Sequence, residues 1–358
     1  MSSTSRPSTM RAVIFKGVGE VMVEQRPSPV IRDPKDCILR VTSAALCGSD
    51  LHFYRGHMRI PTDFIIGHEF VGVVDEVGPD VKNFHVGDLV VVPFFTACGK
   101  CFYCQRKQSS RCTEGKLFGN SQSSNSIAGG QADYVLVPNA DTTMVLAPTT
   151  ISEDLLVLMA DIFPTGYFAA ARFLRNLPSE QRKEVIVSVI GCGPVGLCAI
   201  ASALTMCNTV YAIDTVPDRL NEASQLGAIP LQLDSNPADT IRKATGGRGA
   251  DVVLEIVGNA GALELAIDIA RPFASISSVG VHSSTLQLHG PQLYGKNLTL
   301  AFGRCPVRSI FEEALDVLVQ VGDKLHFLCG TKMKLEDAQK AYDLFEARKV
   351  HKVIFKLD

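Results

Sequence analysis

At 358 residues the chain exceeds the size at which one hydrophobic core usually stops growing, so two domains are expected. Hydrophobic residues make up 46% and charged residues 20%, with no Trp, which excludes a disordered or fibrous chain. A net charge of −2 gives no global field to draw the protein to nucleic acid or an anionic membrane, so small molecules are the expected partners.

The N-terminal residues, Met1 to Met10, are Ser/Thr-rich without an apolar core and read as a frayed lead-in rather than a targeting segment. Eleven cysteines then point to metal ligation and reduced thiols more than to disulfides, and to a cytoplasmic setting. From Met10 to about Val137, short β-type runs such as Cys37 to Leu46 and Phe70 to Val77 alternate with Gly, Pro and Asp turns. The polar piece Asn120 to Ser126 reads as a mobile loop.

After Ser152 the texture changes to βα alternation. Strands are expected at Val185 to Ile190, Thr209 to Ile213, Val252 to Ile256 and Ser275 to Val281. Helices are expected from Val195 and near Asp218 and Gly261, the pattern of a parallel doubly wound sheet. The apolar run Val185 to Met206 imitates a membrane span, but its glycines cut it into a strand and a helix. Helices around Phe311 to Val321 and Leu335 to Ala347 follow, and a closing strand, Val350 to Leu357, has no βα partner and is expected to return to the first domain.

Three constellations carry chemistry. Cys98, Cys101, Cys104 and Cys112 are spaced as the closed tetrahedral thiolate site of a structural Zn²⁺, a pattern that buried core thiols seldom produce. Upstream, Cys47-Gly48-Ser49-Asp50-Leu51-His52 and Gly67-His68-Glu69 offer a thiolate and an imidazole, two of the three protein ligands a catalytic zinc needs. Asp161, acidic within an apolar stretch, is the candidate third, and from spacing alone it reads equally well as a helix-end Asp. Glu69 reads either as a ligand or as a neighbour that exchanges onto the metal. His52 is preferred as a proton shuttle and His57 as solvated. Phe53, Tyr54, Phe94 and Phe95 divide between a substrate channel and ordinary core.

The third constellation is Gly191-Cys192-Gly193-Pro194-Val195-Gly196, between an apolar strand and a helix, which is the context a dinucleotide fingerprint requires. Asp214, at the end of the next strand, suits the adenosine ribose hydroxyls and favours NAD over its phosphorylated form.

With these motifs in this order, the chain resembles the zinc-containing medium-chain dehydrogenase/reductase superfamily over nearly its whole length, and around Cys47 and Asp161 most of all its formaldehyde dehydrogenase-like members. The resemblance implies a GroES-like mostly-β catalytic domain at 1–164 and 306–358, with a zinc lobe at about 95–115, and a Rossmann domain at 165–305. It also implies two zinc ions per chain, a catalytic one on Cys47, His68 and Asp161 with Glu69 adjacent and a structural one on the four-cysteine lobe. Pro194, Val195, Thr165, Arg219, Val257, Val281 and Lys352 join the glycines and Asp214 as cofactor contacts. The implied function is hydride transfer between an alcohol or aldehyde and NAD(H), with Ser49 passing the hydroxyl proton through the cofactor ribose to His52. The rival readings are an enzyme working mainly as an aldehyde reductase or dismutase, and a silent zinc and dinucleotide binder. A homo-oligomer, tetramer or dimer, is expected.

Overall fold

The computed structural model describes residues 6–58, 61–120 and 126–357, so most of the polar piece expected to form a loop lies outside the described residues. The chain divides into two compact units. One comprises Met1–Asp161, Pro306–Glu312 and Leu325–Asp358, the other Ile162–Cys305 and Glu313–Lys324.

The first unit is mostly β. A hairpin, Thr9–Gly17 with Glu20–Pro27, flanks a larger sheet running Val145–Leu146, Leu89–Val92, Glu69–Val77, Cys37–Ala45, Val353–Lys356 and Thr331–Met333, with Tyr134–Val137 also on Cys37–Ala45. Alternating apolar residues build its core: Leu39, Val41, Phe70, Val74, Val90, Val92 and Phe355 are all essentially buried. The antiparallel register pairs Ala45 with both Glu69 and Ile354, which brings the end of one strand beside the beginnings of two others. That register is what assembles the site described below.

The second unit is a six-stranded parallel sheet. In chain order its strands are Ile186–Ile190, Thr209–Asp214, Ile229–Gln232, Ala250–Glu255, Ala270–Ser278 and Thr299–Phe302, and in space they run third, second, first, fourth, fifth, sixth. This is the doubly wound order with a switch point between the first and fourth strands. Two strands go beyond those expected from the sequence. Ile229–Gln232 contains Pro230, which an edge strand tolerates, and Thr299–Phe302 closes the other edge. The expected strand Ser275 to Val281 instead spans Ala270–Ser278, which leaves 279–281 as a loop at its C-terminal end.

The run that imitated a membrane span is the strand Ile186–Ile190 followed by the helix Pro194–Leu204, and among the described residues no single helix is long and apolar enough to cross a membrane.

Candidate metal centres and dinucleotide site

Two groups of ligating side chains form in the first unit, each with its donor atoms within 4.8 Å of one another. The first is Cys98, Cys101, Cys104 and Cys112, held by turns and two short 3₁₀ segments, Cys104–Arg106 and Ser109–Arg111. The Cys98 N–H donates to Cys112 Sγ at 3.2 Å. Backbone N–H groups of Cys104 and Thr113 bring the Cys101 thiol down to about 5, whereas burial, then its neighbour Cys101, pushes Cys104 up to about 12. Without a cation, the ionised Cys101 thiol opposes ionisation of its neighbour Cys104. A tetrahedral dication with thiolate affinity resolves that conflict, and the donor set fits zinc.

The second group is Cys47, His68, Glu69 and Asp161. Cys47 follows strand Cys37–Ala45, while His68 immediately precedes, and Glu69 opens, the strand paired with it. Asp161 sits between the 3₁₀ turn Val157–Ala160 and the helix Ile162–Leu174, and the Phe94 N–H donates to the Ala160 carbonyl beside it at 3.0 Å. Asp161 Oδ2 lies 3.4 Å from His68 Nε2 and 3.9 Å from Cys47 Sγ. The structure therefore gathers Asp161 with the other candidates, the geometry a ligand requires.

Electrostatics make the same point. Burial, then the charge of Glu69, pushes the Cys47 thiol up. Burial also raises Glu69 against the pull of Lys352, with Asp161 adding to the rise. Burial disfavours the His68 imidazolium, but Asp50 and then Cys47 outweigh it, so its pKa stands well above the ordinary value. Glu69 Oε1 is buried with no hydrogen-bond partner among the described residues. Clustered acids that resist ionisation, one with an unserved oxygen, are what a bound divalent ion would satisfy, and a Cys/His/carboxylate set suits zinc.

Sequence reasoning missed Asp50. Its carboxylate is 1% exposed, lies 3.2 Å from His68 Nδ1 and accepts the Cys47 N–H at 3.0 Å, so one acid orients both the imidazole and the thiol segment. The available signal was its position three residues after Cys47, at the start of the short helix Asp50–Tyr54. Ser49 Oγ lies 3.2 Å from His68 Nε2. His52 is half-buried, and its Nδ1 has no hydrogen-bond partner among the described residues. Phe53 and Tyr54 belong to the hydrophobic core, and Phe94 meets the His68 ring edge-on at 6.2 Å.

Lys352, expected at the cofactor, is 2% exposed; its ammonium pairs with Glu69 and donates to the Leu46 carbonyl at 2.9 Å. The register that places Ile354 opposite Ala45 sets it there, beside the Cys47 cluster.

In the second unit, Gly193 caps the helix Pro194–Leu204, with Pro194 in its first turn. A Cβ on Gly196 would overlap the Gly191 carbonyl, whereas one on Gly193 would meet nothing nearer than Arg219 at 3.9 Å. The open space at Gly193, above a helix N-terminus, is a cradle that fits a pyrophosphate. Asp214 accepts N–H groups from Cys192 at 2.7 Å, Thr215 at 2.7 Å and Val216 at 2.9 Å, which occupies most of its acceptor capacity and leaves room for a ribose hydroxyl. The Arg219 guanidinium lies 3.8 Å from it. Val257 and Val281 are about half exposed at the C-terminal ends of the fourth and fifth strands, and Thr165 is half-buried in the helix Ile162–Leu174.

Comparison with known proteins places the chain in a family. Residues 33–148 match the family described as alcohol dehydrogenase GroES-like domain, and residues 194–320 the family described as zinc-binding dehydrogenase. A zinc-type alcohol dehydrogenase B of Aspergillus flavus is 48% identical over 98% of this chain and 82% of its own length. Among solved structures, an alcohol dehydrogenase of Thermus sp. ATN1 superposes with a TM-score of 0.91 at 34% identity, covering 98% of this chain and 100% of that one. An alcohol dehydrogenase of Escherichia coli CFT073 complexed with NADH does so with a TM-score of 0.83 at 25% identity, over 98% and 100% of the respective chains.

Proposed function

The chain belongs to the zinc-containing alcohol dehydrogenases of the medium-chain superfamily, and from that membership we propose that it moves hydride between a small alcohol or aldehyde and NAD(H). The observation that carries this reading is the gathering of Cys47, His68, Glu69 and Asp161 within 4.8 Å, in a chain that also holds a glycine fingerprint ahead of Asp214.

Zinc bound by Cys47, His68 and Asp161 would supply Lewis acidity toward the substrate oxygen, and NAD on the fingerprint would supply the hydride acceptor. The chain's own residues do the rest. Asp50 fixes the tautomer and ring plane of His68, so that Nε2 faces Asp161 and Ser49. Ser49 supplies a hydroxyl beside the ligands to take up or return the alcohol proton. Burial, then His57 and Arg55, lowers the pKa of His52, which keeps its imidazole neutral and able to accept that proton near neutral pH. Glu69, paired with Lys352, is poised next to the ligands to exchange onto the metal. The carboxylate of Asp214 opposes the extra phosphate of NADP. The residues around Cys47 and Asp161 favour the formaldehyde dehydrogenase-like branch.

The test is reduced-nicotinamide absorbance against a panel of primary and secondary alcohols, and of aldehydes in reverse, on protein whose zinc has been counted. Turnover with NAD and not NADP supports the reading and names the substrate class. Full zinc occupancy with no turnover in either direction would instead establish a silent binder.

A further inference from the structure

The second unit holds a buried polar cluster that the glycine fingerprint does not account for. Glu255 ends the strand Ala250–Glu255, is fully buried, and pairs in register with Ser278 at the end of the neighbouring strand. Its Oε2 accepts the Ser278 hydroxyl at 2.6 Å and lies 3.1 Å from His282 Nε2, while Oε1 accepts the Gly258 N–H at 2.6 Å. The same Nε2 is 2.9 Å from Ser278 Oγ, and the His282 ring meets Phe302 at 5.6 Å. A serine, a histidine and a glutamate suggest a nucleophile relay, but a relay needs the two ring nitrogens on different partners. Here one nitrogen faces both, and Nδ1 has no hydrogen-bond partner among the described residues. The cluster is therefore a tie, with one buried carboxylate gathering three donors.

What it ties together is two loops, 256–258 after the fourth strand and 279–281 after the fifth. They pack backbone against backbone: a Cβ on Gly258 would overlap Val281, and a Cβ on Gly280 would overlap Gly258. Each loop leaves one valine outward, Val257 at 47% and Val281 at 53% exposure, and Val257 also borders Gly191 of the fingerprint. The Val279 N–H donates to the Glu255 carbonyl at 3.1 Å, and a side-chain tie would fix the separation of the two exposed valines further. The Glu255 carboxylate does so, reaching Gly258 on one side and His282 on the other.

This step rests on the dinucleotide reading above. Asp214, after the second strand, marks the adenosine end, and Gly191 to Gly196, after the first, takes the pyrophosphate. Continuing across the switch point, the nicotinamide half comes over the ends of the fourth and fifth strands. We infer that His282, with Glu255 and Ser278, is a positioning residue for the nicotinamide half of the cofactor, holding the loops of Val257 and Val281 in register without touching the dinucleotide itself.

The experiment is calorimetric titration of the full-length chain with NADH and, separately, with ADP, which lacks the nicotinamide half. His282→Ala should weaken NADH about ten-fold while ADP changes by less than about two-fold, since one charge-assisted hydrogen bond to a buried carboxylate is lost at one end of the site only. His282→Gln, whose amide N–H can still reach Glu255, should recover most of the NADH affinity. Equal weakening of NADH and ADP, or unchanged NADH affinity in His282→Ala, overturns the assignment while leaving the cofactor reading intact. A wild-type chain that binds neither NADH nor ADP overturns the cofactor reading and this inference with it.

Discussion

The two ligand clusters of the first unit each bring their donors within 4.8 Å of one another, yet they are built in opposite ways. The four-cysteine lobe is local. All its thiols lie between Cys98 and Cys112, turns and backbone N–H groups arrange them, and no carboxylate is among the four donors. The Cys47 cluster joins segments as distant as Cys47 and Asp161, mixes a thiol, an imidazole and two carboxylates, and is buried against further charges in Asp50 and Lys352. A local, all-thiolate site that fills a tetrahedral ion's coordination leaves no open position for substrate. A long-range, mixed site has spare donors and charged neighbours, which are the means of letting a ligand exchange while substrate occupies a position.

The sharpest break of this comparison is at the mixed site. Asp161→Ala should lower kcat/KM by roughly a thousand-fold, a loss of several kcal/mol in transition-state stabilisation, and remove one zinc equivalent while the circular dichroism stays native. Unchanged metal content by atomic absorption would strike Asp161 from the ligands. At the lobe the effect should run the other way. Cys101→Ser should lower Tm by on the order of 10 °C and release the lobe's metal, with kcat of the protein that remains folded changed little. A large fall in kcat at unchanged Tm would show that the lobe is not merely structural.

Smaller effects sharpen the contrast. Asp50→Asn keeps the shape but removes the charge facing His68, and should cost about 10- to 100-fold in metal affinity or activity, read by competition with a chelator. His52 tests the proton path. Because its pKa is lowered, it stays neutral to below its ordinary 6.5, so the acid limb of alcohol oxidation should lie below that pH in the wild type. His52→Ala should remove that limb and slow turnover a few-fold at neutral pH, and an unchanged pH profile would take His52 out of the relay.

How much could be read in advance follows from the same distinction. The lobe and the fingerprint were legible because their residues are close in the chain: three-residue cysteine spacing, and glycines between an apolar strand and a helix, each encode their geometry locally. The doubly wound sheet was legible from βα alternation, although its two edge strands were not, being short and in one case interrupted by Pro230. Asp161 was named from the sequence, but spacing could not separate a ligand from a helix-end acid, and its position 3.4 Å from His68 appears only in the folded chain.

The amino-acid sequence by itself determined the kind of fold and the family, because periodicity and short-range motifs follow from backbone geometry over a few residues. Only the tertiary structure decided which distant groups meet: Asp50 behind His68, Lys352 on Glu69, and His282 and Ser278 on Glu255. Each of those meetings depends on strand register, Ala45 opposite Glu69 and Ile354, Glu255 opposite Ser278. Register is set by how whole strands bury their apolar faces, a property no single segment carries.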